Sequence, residues 1–379
     1  MQCSYFDAGR CRSCTLMGQD YGTQLADKQA HCRDVLADFP MAWTDPVRSA
    51  ESGFRNKAKM VVGGTVAAPT LGILDRAGHG VDLSDCGLYP ANLAATFAPL
   101  AGFITRAALE PYDVPHRRGQ LKYVIVTASP DGELMVRFVV RTAEVLRRIR
   151  AQLPWLQEQL PTLAVVSANI HPEHKAVLEG AEEIILTEQE SLPMVVNGFG
   201  LHLRPRSFFQ TNTDVAAALY RQATQWLEQI APESVWDLYC GVGGFALHAA
   251  GPGRSVIGVE TSAEAVASAR RSAAEAGLTG VEFVVGDAGE FAFGQGSADS
   301  TRGVPDLVVV NPPRRGIGPE LAGWLESSGV RSVLYSSCRA ESLARDLAAM
   351  PSLRPRRARL LDMFPQTDHY EVLVELRRD

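Results

Sequence analysis

The chain has 379 residues, enough for two or three domains. With 46% hydrophobic and 21% charged residues it excludes a disordered, collagenous or coiled-coil protein. Its 37 basic and 43 acidic residues leave a formal charge of −6, so bulk electrostatics do not mark a nucleic-acid binder, although local basic clusters suffice for one. Seven cysteines are too few for a disulfide scaffold, and no apolar run reaches the roughly 18–20 residues of a membrane span. The start Met1-Gln2-Cys3-Ser4-Tyr5-Phe6-Asp7 has neither the basic nor the apolar region of a signal peptide. A cytoplasmic, reducing location is expected.

Cys3, Cys11 and Cys14 crowd the first fourteen residues, and Cys86 lies far downstream. In a reducing compartment clustered thiols point to a metal site before a disulfide. Four thiolates fit zinc or an iron–sulfur cluster about equally, and only one Cys-x2-Cys pair is present where structural zinc sites usually use two. Cys32 and Cys240 have no partner pattern and read as structural. Basic groups follow at Arg55-Asn56-Lys57-Ala58-Lys59, at Arg117-Arg118 with Lys122, and at Arg147-Arg148-Arg150. Phe54 and Tyr123 beside them could add base stacking, so these are candidate RNA patches. Strands are expected over residues 121–127 and 133–140 around the turn Pro130-Asp131-Gly132, then over 163–170 and 183–187. Residues 1–205 therefore read as an α+β region.

After Arg206 the pattern changes. A helix over 213–230 carries Val215, Leu219, Ala223, Trp226 and Ile230 on one stripe, with Asn212 or Thr213 as its cap. Short apolar strands at 234–239, 255–260, 281–286, 306–310 and 331–336 then alternate with helices, the clearest over 262–276 and closed by Gly277. Such alternation means a parallel sheet with helices on both faces. Two last strands, 359–363 and 370–376, lack a long intervening helix and predict one antiparallel strand at or near the sheet edge. The run 294–303 reads as a flexible loop.

The chemistry gathers where the parallel strands end, since ligands of such sheets bind at that edge. Asp237-Leu238-Tyr239-Cys240-Gly241-Val242-Gly243-Gly244-Phe245 turns tightly from strand to helix, and no Lys-Ser or Lys-Thr follows to make a P-loop. Glu260, nineteen residues after Gly241, can accept hydrogen bonds from both hydroxyls of a ribose. NAD and S-adenosylmethionine both fit; the Gly-x-Gly-Gly turn and the later Asn311-Pro312-Pro313-Arg314 favour S-adenosylmethionine. Asn-Pro-Pro also occurs in adenine amino-methylating enzymes, but an aromatic residue follows there, and Arg314-Arg315 offers phosphate contacts instead. Cys338, at the end of the fifth strand, is a candidate nucleophile. Taken alone, Glu371 reads as an exposed strand glutamate.

Ser207-Phe208-Phe209-Gln210-Thr211-Asn212, the 237–245 turn, Asn311-Pro312-Pro313-Arg314-Arg315-Gly316, Ser336-Ser337-Cys338 and His369-Tyr370-Glu371 occur in one order. Together they make the chain resemble the RNA uracil-C5 methyltransferase family over its whole length. The resemblance implies an α/β enzyme: a Rossmann-like class I S-adenosylmethionine-dependent methyltransferase domain over 206–379, preceded by an iron–sulfur-bearing α+β region over 1–205 that presents RNA. It implies that Gln210, Tyr239, Gly241, Glu260 and Asn311 bind S-adenosylmethionine, Cys338 is the nucleophile and Glu371 the general base. It also implies that Cys3, Cys11, Cys14 and Cys86 hold a [4Fe–4S] cluster. Family members specific for ribosomal RNA carry such cysteines, so the implied partner is 23S ribosomal RNA, at uracil 747. A monomer without a membrane partner is expected. Adenine amino-methylation and a non-catalytic iron–sulfur RNA-binding protein are the rival readings.

Overall fold

The computed structural model describes residues 1–175, 177–295 and 303–378; most of the loop expected at 294–303 lies outside them. The chain divides into two compact units, neither of which is one continuous stretch. Unit 1 comprises Met1–Met17, Glu51–Met194 and Arg204–Arg206, and unit 2 comprises Gly18–Ala50, Val195–Leu203 and Ser207–Asp379.

Unit 1 holds a seven-stranded mixed sheet, in the order Gly80–Asp82, Pro69–Leu74, Lys57–Gly64, Leu121–Ala128, Leu134–Val140, Leu163–Ile170 and Glu182–Ile185. The expected hairpin is present, with Gly132 at φ +93 in its turn. Residues 55–59, read from sequence as a basic patch, largely enter a strand. Alternation sends Ala58, Met60 and Val62 into the core with Val124, Val126, Val136 and Phe138. Lys57 points to the other face, where burial and the nearby Lys59 and Arg137 push its ammonium down to about 8. Two further parts of the expected RNA patches are corrected. Phe54 is buried, and Lys122 is buried with its ammonium over the Tyr112 ring, 4.9 Å from the centroid, donating to the Glu173 carbonyl. Neither ring nor ammonium is presented to a ligand there. Arg117, Arg118, Arg147, Arg148 and Arg150 are exposed, as a patch requires.

Unit 2 holds an eight-stranded sheet. Its order is Ala42–Trp43, Leu353–Leu361, Glu371–Arg378, Ser332–Ser337, Leu307–Val310, Ser234–Asp237, Ser255–Glu260 and Val281–Val285. Val308, Val309 and Val310 are all buried, so both faces of the sheet are covered, as a parallel sheet requires. The helix Thr213–Ile230 forms as its stripe predicts, and the Asn212 side chain accepts the Val215 N–H at its start. Ala263–Glu275 follows its Ser262 cap and ends before Gly277 at φ +67. The antiparallel strand Glu371–Arg378 is not the outermost: it lies between Ser332–Ser337 and Leu353–Leu361, antiparallel to both. Leu353–Leu361 begins earlier than its charged sequence predicts, because Arg357 pairs with the buried Glu375 and lies over the Trp226 ring.

The expected boundary at 205/206 needs one correction, since residues 18–50 belong with the later sequence. Helix Tyr21–Val35 contributes Leu25 and Cys32 to the core formed by Leu343, Leu347 and Tyr370, and Ala42–Trp43 pairs in parallel with Leu353–Leu361. Lys28 donates to Asp362 at 2.6 Å, with 3% and 0% side-chain exposure. Breaking a buried pair from one side strands the other charge. Lys28→Met should therefore lower unfolding stability by about 3–5 kcal/mol, read from urea denaturation.

Candidate active site

The order of the parallel strands in unit 2 reverses between Ser234–Asp237 and Leu307–Val310, and a crevice opens at the carboxyl ends there. A pocket of about 630 Å³ occupies it. Its wall takes Tyr239 and Gly241 from beyond the first strand, Glu260 from the end of the second, Asn311 through Arg315 from the fourth, and Cys338 from the fifth. Gln210, Phe208 and Glu371 complete it, so every residue expected to bind the cofactor or to react meets in one place.

The glycine turn is shaped by backbone and packing. Gly241 and Gly243 have φ of +54 and +93, the region that favours glycine. A Cβ on Gly244 would stand 2.4 Å from the Tyr220 hydroxyl. Glu260 is held by three donors: its Oε2 accepts the Gly241 N–H at 3.2 Å, and its Oε1 accepts the Ser262 N–H and the Thr261 hydroxyl, both at 2.9 Å. A carboxylate fixed in this way suits a ribose diol. Burial, followed by the charge of Asp287, pushes the Tyr239 phenol up to about 12, so it remains a neutral donor.

Cys338 is half-buried just past the end of Ser332–Ser337. Burial and then the charge of Glu371 raise its thiol above the ordinary value, while Arg314 acts in the opposite direction. Sequence reasoning gave Arg314 to phosphate, whereas the structure sets it beside the thiol and 3.2 Å from the His369 ring nitrogen Nε2. Glu371 is not the exposed strand glutamate its sequence alone suggests. It is 2% exposed, and burial lifts its carboxyl to about 7. A carboxyl near neutrality beside a thiol has the make-up of a base and a nucleophile.

Sequence reasoning gave no individual role to Phe208, which is 76% exposed at the pocket wall. A large aromatic left that open offers a stacking face, and its neighbour Phe209, which is buried, shows that the pair divides between pocket and core. No local signal separates two adjacent phenylalanines. In unit 1, Cys3, Cys11, Cys14 and Cys86 are partly exposed free thiols. Burial raises Cys14 to about 11, and Cys86, Cys11 and Cys3 each push it the same way, so the four are electrostatic neighbours. Among the described residues, no three His, Cys, Asp or Glu side chains stand close enough to hold a metal ion.

Residues 182–379 match the sequence model of a family described as tRNA (uracil-5-)-methyltransferase. The chain is 50% identical to the 23S rRNA (uracil(747)-C(5))-methyltransferase RlmC of Escherichia coli, over 99% of both chains. The same figures apply to the Shigella boydii protein of that name. Among solved structures, the Pyrococcus abyssi tRNA (uracil-54, C5)-methyltransferase in complex with S-adenosyl-L-homocysteine matches with a TM-score of 0.79 at 24% identity. That match covers 96% of this chain and 85% of the other, and it shows a shared fold.

The charges around Cys338 set its reactivity. Glu371→Gln removes the opposing charge and should speed iodoacetamide alkylation of Cys338 at pH 8, whereas Arg314→Met should slow it. Peptide mass spectrometry across a pH series reads both midpoints, and equal midpoints in the two variants would refute this account.

Proposed function

The chain belongs to the RNA uracil-C5 methyltransferase family, and on that premise we propose that it methylates C5 of one uracil in 23S ribosomal RNA, at the position numbered 747 in the relatives' names. What supports the reading is the meeting of Cys338 and Glu371 at the carboxyl edge of the sheet, within one pocket with the expected cofactor residues. Gln210, Tyr239, Gly241, Glu260 and Asn311 would hold S-adenosylmethionine, which when bound supplies an electrophilic methyl group.

The remaining chemistry falls to this chain's own side chains. C5 of uracil is too weak a nucleophile to be methylated directly. The Cys338 thiolate adds to C6, and the electron pair of the C5–C6 double bond moves to make C5 nucleophilic. Once C5 carries the methyl group, Glu371 removes its remaining proton. The C5–C6 double bond re-forms and the thiolate leaves. Phe208 offers its open face to a base that has left its stack, and the exposed arginines of unit 1 are available to the RNA backbone.

The experiment is methylation of unmodified 23S ribosomal RNA with mass mapping of the product. Cys338→Ala should abolish turnover and fail to trap 5-fluorouridine RNA. Glu371→Gln should accumulate a methylated covalent protein–RNA adduct, seen as a band that survives denaturing electrophoresis. Activity retained by Cys338→Ala would instead favour adenine amino-methylation.

For unit 1 the same reading assigns a [4Fe–4S] cluster to Cys3, Cys11, Cys14 and Cys86. The four thiols fit it in donor type, and Cys86, Cys11 and Cys3 each lie near enough to Cys14 to act on its ionisation. The methyl transfer needs no redox step, so the cluster would act as a cross-link between the first residues and the segment at Cys86. That junction already carries a 3.0 Å hydrogen bond from the Asp85 N–H to the Tyr5 hydroxyl. Cys14→Ser should lose bound iron, measured by absorption and metal analysis, and should expose residues 1–17 to proteolysis. Intact protection without iron would sink the clamp.

A further inference from the structure

Ser336 lies on the strand next to Glu371, and neither the nucleophile nor the base assignment gives it a task. In the antiparallel register Ser336 faces Leu373, two residues along from Glu371. Ser336 and Glu371 are therefore diagonal neighbours on one face of the sheet, a separation that side chains can bridge. Strand alternation sends Ser336 to the same face as Cys338, two residues further on. The Ser336 hydroxyl, fully buried, donates to Oε1 of Glu371 at 2.5 Å. Among the described residues this is the one hydrogen bond recorded for the Glu371 carboxylate.

We propose that Ser336 is a positioning residue for proton removal: it fixes Oε1 of Glu371 and leaves Oε2 uncommitted to receive the proton from C5. The inference rests on the base assignment made above for Glu371. In the step it serves, the C5–H bond breaks and its proton passes to Glu371. The electron pair of that bond forms the C5–C6 double bond, and the C6–S bond breaks to return the Cys338 thiolate.

Physical chemistry gives the serine two effects. Without it, a carboxylate on a short arm could turn about its last torsion and present either oxygen or neither. A neutral hydroxyl donor also favours the ionised carboxylate over the acid, against the desolvation that raises it. The other ionisable groups facing Glu371 are the Cys338 thiol, the Tyr220 phenol on helix Thr213–Ile230, and Arg314 through its contact with the thiol. Burial holds Tyr220 neutral, so it adds no second negative charge beside the carboxylate. After transfer the proton sits on Oε2, and Oε1, now the carbonyl oxygen of the acid, still accepts the serine hydroxyl, so the carboxyl stays in place in both protonation states.

The test follows resolution of the methylated adduct after a single turnover, from pH 5.5 to 9.5. In the wild type the rate should rise with pH through a limb near neutrality, as Glu371 ionises. Ser336→Ala should move that limb upward by about one pH unit and slow resolution about tenfold near pH 7; about fivefold of this comes from the shift and recovers at high pH, and the rest, from lost positioning, does not. Adduct formation should change much less. Ser336→Thr keeps the hydroxyl and should leave the limb in place. A limb in Ser336→Ala that superimposes on the wild type, or a uniform loss with no recovery at high pH, overturns the proposal. Infrared difference spectra between wild type and Glu371→Gln provide a reading that needs no serine variant. A Glu371 carboxyl band at the frequency of a group free of hydrogen bonds would also overturn it. If Glu371→Gln resolves the adduct normally, the base assignment itself fails, an outcome distinct from an unshifted Ser336→Ala profile.

Discussion

Glu371 is the first residue of a strand that runs antiparallel to its neighbour Ser332–Ser337, and this direction governs what the pocket can do. Parallel strands deliver their last residues to the ligand edge, so Glu260, Asn311 and Cys338 arrive there from strand ends. An antiparallel strand delivers its first residue to that edge instead. Sandwiched between Ser332–Ser337 and Leu353–Leu361, Glu371 is buried on both sides, and that burial raises its carboxyl. Had the chain closed with another parallel strand, its last residue would stand at the pocket and its first at the far edge.

The thiol and the carboxyl oppose one another's ionisation, although the proposed chemistry uses each as an anion. On the proposed reading they are needed at different times. The thiolate acts first, with Arg314 beside it as the compensating cation. Once sulfur is bonded to C6 its charge is gone, and the cost it imposed on an ionised Glu371 disappears with it. A carboxyl at about 7 is poised to follow that change at neutral pH, whereas an ordinary carboxylate would oppose the thiolate throughout.

What the sequence made legible was what local physics decides. Helix Thr213–Ile230 has its stripe within eighteen residues and its Asn212 cap just before them, and strand Ser255–Glu260 is a short, mainly apolar run ending in a carboxylate at the pocket. Fold rules then carry the strand ends to one crevice without any further information. Segment 18–50 was not legible, because its place depends on partners more than 300 residues away, such as Asp362 for Lys28 and Gln366 for Gln24. The same is true of Glu371, whose burial is supplied by two strands that its own alternation cannot reveal. Lys122 and Phe54 misled in the opposite direction: their types are those of an RNA surface, but tertiary packing turned both inward.

Asp237, Glu260 and Glu371 stand along the carboxyl edge of the sheet, and their hydrogen-bond partners separate their roles. Asp237 accepts the Ala246 N–H at 2.9 Å, within the helix Gly244–Ala249 that follows the glycine turn. The positive end of that helix favours an anion there, although burial lifts the acid to about 7. Glu260 takes two backbone N–H groups and a hydroxyl. Backbone donors cannot rotate away, so these two carboxylates brace the glycine turn and the strand end and would lose those bonds if protonated at the accepting oxygens. Glu371 has a rotatable hydroxyl on one oxygen instead. A side-chain hydroxyl can serve both protonation states, which backbone N–H groups cannot. The carboxylate suited to gaining and losing a proton is therefore the one that the backbone does not hold.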